Sequence, residues 1–86
     1  MNVSKGGAVE RIARVLAGQR LSVNGDGNKA HAAADVDAAW RDHVDDAVAV
    51  LRTMREPDAR MAEAGDPAVW EKMILAALPE SARGGA

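Results

Sequence analysis

Asn24, Asp26 and Asn28 fall at the first, third and fifth positions of a calcium-loop pattern, with Asp35 at the twelfth. Such a loop wraps oxygen ligands around a hard cation, and helical patterns flank this one on both sides. Its sixth position, which needs glycine for a sharp turn, is Lys29, two of the ligands are neutral amides, and the twelfth is Asp rather than bidentate Glu. The stretch therefore reads as a connector. His43, within RDHVDDAV, is the other candidate for metal or acid–base work. On a helix it lies at the edge of an apolar stripe, whereas Asp42 and Asp46 project from the opposite face, so the side chains diverge. The only other histidine, His31, sits in an Ala-rich segment, and the absence of cysteine excludes thiolate chemistry, disulfides and cysteine zinc sites. No nucleophile, base and oxyanion donor converge, so the expectation is a non-enzymatic protein without cofactor or metal.

Charge points to surfaces instead. Residues 1–20 carry Lys5, Arg11, Arg14 and Arg20 against Glu10, whereas residues 35–56 carry five Asp and Glu56 against three Arg. Arg11, Arg14 and Arg20 are candidate phosphate contacts, but no aromatic residue is interleaved for base stacking and the net charge is −2. Nucleic acid is therefore the alternative partner rather than the main one. Asp42 and Asp46 line the outward face of a long helix beside Asp35 and Asp45, a solvated face partly paired with Arg41 and Arg52, or a docking strip for a basic partner.

These residues need elements to hold them. Val9, Ile12, Ala13 and Leu16 predict a helix over about 8–20 after a flexible stretch 1–7, and SVNGDGN predicts a loop over 21–29. Val36, Trp40, Val44, Ala47, Leu51 and Met54 recur at three and four residues, giving one long helix over about 30–54. Pro57 stops it, because the residue before a proline is pushed out of the α region. Asp58 then caps a short helix over 58–64, Gly65 closes it in the left-handed conformation, and Asp66 with Pro67 starts a last helix over 67–78. Trp70, Met73, Ile74, Ala77 and Leu78 share one face of that helix, while Leu75 projects about 140° from Trp70. Residues 79–86 read as a disordered tail. The result is an all-α domain over 8–78, a small bundle of three main helices plus a short connecting helical turn.

Nineteen of the 86 residues are alanine, and Phe and Tyr are absent, so few large side chains are available for a core. Self-association is one way for so lean a chain to gain stability, and a homodimer is a natural expectation. Trp40 and Trp70, the only aromatics, are expected in the core or as interface anchors, with Met54, Met61 and Met73 filling gaps around them. Leu75, off its helix's stripe, is expected as an exposed apolar contact. No apolar run is long enough to span a bilayer and no secretory signal pattern opens the chain, so a soluble cytoplasmic protein is expected.

Arg55-Glu56-Pro57, Met61, Ala64-Gly65, Trp70, Met73-Ile74 and Ala76-Ala77-Leu78 resemble a pattern found in short uncharacterised proteins of proteobacteria and their phages. Many of those begin with a helix similar to Glu10-Arg11-Ile12-Ala13-Arg14-Val15-Leu16. Here Asp58 replaces the usual Thr or Ser, keeping the capping ability the three share, and Leu75 replaces a common acidic residue. The resemblance implies a small helical protein, of prophage origin, with no activity to carry over. Together these readings predict a protein-interaction or self-associating module, with Trp40, Trp70, Leu75, Asp42 and Asp46 at its interface. The alternative is a small nucleic-acid-associated regulator using the basic first helix.

Overall fold

The computed structural model describes residues 3–24 and 29–83, and side chains over 3–21 and 33–83. Among these the chain is all-α, with no strand. It falls into two compact units, Met1–Ala47 and Val48–Ala86, where the sequence pattern suggested one helical domain over 8–78.

In the first unit, α1 (Ala8–Asn24) packs against α2 (Lys29–Ala39) and against a 3-10 turn, Trp40–His43. Ala13 and Ala17, one helical turn apart on α1, are fully buried, and Ile12 and Leu16 lie half-buried beside them. Small residues on this face let α2 come close: a Cβ added at Gly18 would sit 3.8 Å from Cγ2 of Val36. α1 runs four residues beyond the expected stop at 20, because Leu21 continues the Ala13–Ala17 line at the same four-residue spacing and is half-buried there.

The long helix expected over 30–54 is interrupted. Ala39 has φ −108° and ψ −17°, Trp40–His43 takes 3-10 geometry, and Val44 donates its N–H to the carbonyl of Arg41 before α3 (Val44–Thr53) resumes. A 3-10 turn advances about 120° per residue instead of about 100°, so four residues offset the helix face by roughly 80°. Val36, Trp40 and Val44 are accordingly only half-buried, while Ala47 and Leu51 are buried. Asp45 and Asp46 occupy the first turn of α3 and Arg52 its last, the arrangement the helix dipole favours.

In the second unit, α3 ends with Met54 and Arg55 donating to the carbonyls of Val50 and Arg52, ahead of Pro57. Asp58 Oδ1 accepts the N–H of Met61 at 2.9 Å and caps α4 (Ala59–Ala64). Asp66 Oδ1 accepts the N–H of Ala68 at 2.9 Å and caps α5 (Pro67–Ala77), with Pro67 in its first turn. Between them Gly65 is extended, at φ −163° and ψ −171°, not left-handed as expected. Asp66 begins a new helix at once, and its cap needs extended backbone, which leaves no room for a closing left-handed turn. Ile74 and Leu78 are buried.

Residues 80–83, expected within a disordered tail, form a helical turn, α6 (Glu80–Arg83). Arg83 accounts for it: its Nε donates to the carbonyl of Leu78 at 2.9 Å and its Nη2 reaches that of Ala76 at 3.5 Å. A cation at a helix C-terminus satisfies carbonyls that have no partner within the helix.

Candidate functional site

Two capped helices set almost end to end make a corner, and the corner is held from inside the second unit by Trp70. Its indole Nε1 donates to the carbonyl of Met54 at 2.7 Å, one of the last carbonyls α3 leaves without a helical partner. The indole, half-buried, becomes one wall of an apolar groove of about 340 Å³. Pro57, Met61, Ala64 and Gly65 contribute from the α4 side, and Pro67, Val69 and Met73 from α5. Asp66 also lines it, with Oδ1 already engaged at the α5 cap.

The groove is open and apolar. Met61 is 37% exposed, Val69 50% and Met73 60%, and no residue of α4 is buried. The methionines expected to fill core gaps thus stand outside the core, Met54 included at 39%. Six residues make fewer than two helical turns, so α4 is too short to bury an apolar stripe, and Met61 stays at the surface. On α5, Ile74 and Leu78 take the buried bearing, about 100° from Met73 for Ile74, which turns Val69 and Met73 outward. Leu75 is half-buried, so the exposed apolar contact of this helix is Met73 with Val69 rather than Leu75.

Trp40 lies elsewhere, in the first unit. The Arg14 guanidinium lies over its ring at 5.3 Å from the centroid and that of Arg41 at 4.5 Å, both within cation–π range. Arg14 is further tied by Nε to Glu10 Oε2 at 2.8 Å and by Nη1 to Asp37 Oδ1 at 2.6 Å. The bond to Asp37 first, then that to Glu10, raises the Arg14 pKa above its ordinary value. Arg14 is therefore occupied in joining α1 to α2, and of the three arginines considered for phosphate, Arg11 and Arg20 remain exposed on α1.

Asp42 and Asp46 are exposed, and among the described residues neither Arg41 nor Arg52 pairs with them. Arg41 is turned instead to Trp40. His43 is half-buried in the 3-10 turn. Asp26 and Asn28 of the calcium-loop pattern, and the side chain of His31, lie outside the described residues. Asn24 and Lys29 end α1 and begin α2. No group of three His, Cys, Asp or Glu able to hold a metal occurs among the described residues.

No protein-family model, curated protein or solved structure matches the chain.

The groove is thus the feature from which function can be argued. Chemically it offers apolar area with adaptable methionine walls, and Asp66, the one ionisable residue in its lining, is spent on a cap. Its lining is suited to contact with apolar side chains. No helix among the described residues is long and apolar enough to cross a membrane.

Proposed function

We propose that this protein is a non-enzymatic interaction module that docks apolar side chains of a partner protein in the α4–α5 groove. One observation carries the reading. A corner fixed by two aspartate caps, two prolines and the Trp70–Met54 hydrogen bond holds Met61, Val69 and Met73 in the open. Ordering a surface in advance reduces the entropy that binding must offset, which is what a docking site requires and a mere connector does not. Of the twelve residues that carry the resemblance to short phage-related proteins, six line the groove: Pro57, Met61, Ala64, Gly65, Trp70 and Met73.

Titration with 1-anilinonaphthalene-8-sulfonate tests the groove as an apolar binding site. Dye fluorescence should rise on the native chain and fall at least several-fold with Met73→Asp, while helical circular dichroism stays unchanged. Equal dye response in both proteins would remove the groove from consideration.

A further inference from the structure

We infer that Met73 is a modification site: a hydroperoxide reversibly oxidises its thioether to the sulfoxide, and the sulfoxide closes the α4–α5 groove to apolar side chains without unfolding the helices around it. The inference rests on the docking reading above and adds its regulation.

Three observations converge on Met73. The chain has no cysteine, so no thiolate competes for the oxidant and methionine carries all of its sulfur. Methionine is ordinarily among the buried residues, yet Met54, Met61 and Met73 are 39%, 37% and 60% exposed, which makes Met73 the most open methionine among the described residues. Met73 also lines the groove from α5, as Met61 does from α4. Access for the oxidant and apolar docking therefore depend on the same side chain.

The chemistry is a two-electron transfer. A sulfur lone pair attacks one oxygen of hydrogen peroxide or an alkyl hydroperoxide, an S–O bond forms as the O–O bond breaks, and the proton on the transferred oxygen passes to the departing one. Sulfur is oxidised, and the hydroperoxide is reduced to water or an alcohol. Reversal takes two thiols, which supply two electrons and two protons, release the oxygen as water and join as a disulfide; methionine sulfoxide reductases catalyse it.

The surroundings decide what the new oxygen does. It accepts hydrogen bonds, but the N–H groups of Met61, Gly65 and Trp70 already donate to Asp58 Oδ1 and to the carbonyls of Met61 and Asp66, and the indole Nε1 donates to Met54. The oxygen therefore keeps water beside it, and an apolar side chain entering the groove would have to strip that water without replacing its hydrogen bonds. The helices do not need Met73 in the same way. Ile74 and Leu78 are buried instead, no residue of α4 is buried, and the two caps and the indole bond are made by other side chains. Oxidation alters the surface and spares the fold.

Limited treatment of the full chain with hydrogen peroxide, followed by mass spectrometry of tryptic peptides, tests this. Cleavage after Arg60 and Lys72 puts Met61 and Met73 on separate peptides. Met73 should gain oxygen about two-fold faster than Met61 or Met54, in the order of their exposure. The oxidised chain should keep its helical circular dichroism and lose most of its 1-anilinonaphthalene-8-sulfonate fluorescence, and methionine sulfoxide reductases A and B with dithiothreitol should restore it. Met73→Leu should bind the dye equally before and after peroxide. The inference is overturned, with the docking reading left standing, by any of four results: slower oxidation at Met73 than at Met61 and Met54, a full dye response from chain oxidised at Met73, loss of helix on oxidation, or a Met73→Leu response that peroxide abolishes. An untreated chain whose dye response equals that of Met73→Asp removes the docking reading itself, and this inference with it.

Discussion

The indole of Trp70 reaches back sixteen residues to the carbonyl of Met54, closing at 2.7 Å the corner that α4 and α5 form. Trp70→Phe keeps most of the apolar wall but loses this hydrogen bond. Urea denaturation should show a loss of about 0.5–1.5 kcal/mol, the net value of one such bond. An unchanged midpoint would mean that water replaces the indole at no cost.

The two caps predict similar losses at different places. Asp58→Ala and Asp66→Ala should each destabilise by about 1 kcal/mol, since each leaves a helix-start N–H without its side-chain acceptor. Asn at either position should recover most of the loss. Thermal unfolding followed by circular dichroism distinguishes the four variants.

Gly65 offers a sharper test, because its two possible conformations predict opposite signs. Its backbone is extended, and a Cβ there would meet nothing within 4 Å. Gly65→Ala should therefore leave stability equal or raise it by up to about 1 kcal/mol through the unfolded chain. A left-handed cap would instead make the same change costly.

Gly18→Ala should also stabilise. The position is inside α1, its Cβ would make ordinary contact with Val36, and alanine is favoured over glycine in a helix by about 1 kcal/mol. A loss on substitution would show that α1 and α2 lie closer than 3.8 Å suggests.

Arg14 and Arg11 should behave differently although they share a helix. Arg14→Ala removes the bonds to Glu10 and Asp37 and one cation over Trp40, so it should lower the melting temperature and alter Trp40 emission. Arg11→Ala, at an exposed position, should do neither. The pKa of Arg14 is raised above the ordinary arginine value, so its contribution is fully present below that ordinary value and lost only as pH rises through the still higher folded one, and it stays constant across the neutral range.

Much of this was legible in the sequence where the cause is local. The caps at Asp58 and Asp66 and the break at Pro57 depend on residues within three positions, and each stands where the sequence puts it. The 3-10 turn at Trp40–His43 was not legible, because spacings of three and four residues suit an uninterrupted helix, and the cations over Trp40 come partly from α1. Gly65 misled because glycine after a helix usually closes it, whereas here Asp66 starts another. The groove is half legible: the pattern marks Trp70 as a core residue or interface anchor, but it places Met61 and Met73 as gap fillers around the tryptophans, whereas both stand exposed. The signal that could have corrected this was the length of α4, whose six residues cannot cover a face.

The four residues from Trp40 to His43 act on the chain as a phase offset. A single-residue insertion or deletion between Ala39 and Val44 would turn Ala47 by about 100° from its fully buried bearing, with no compensating slack in a loop. The number of residues on this stretch is therefore constrained separately from their identity: natural or engineered relatives should keep its spacing, and length changes should collect where no such timing is kept.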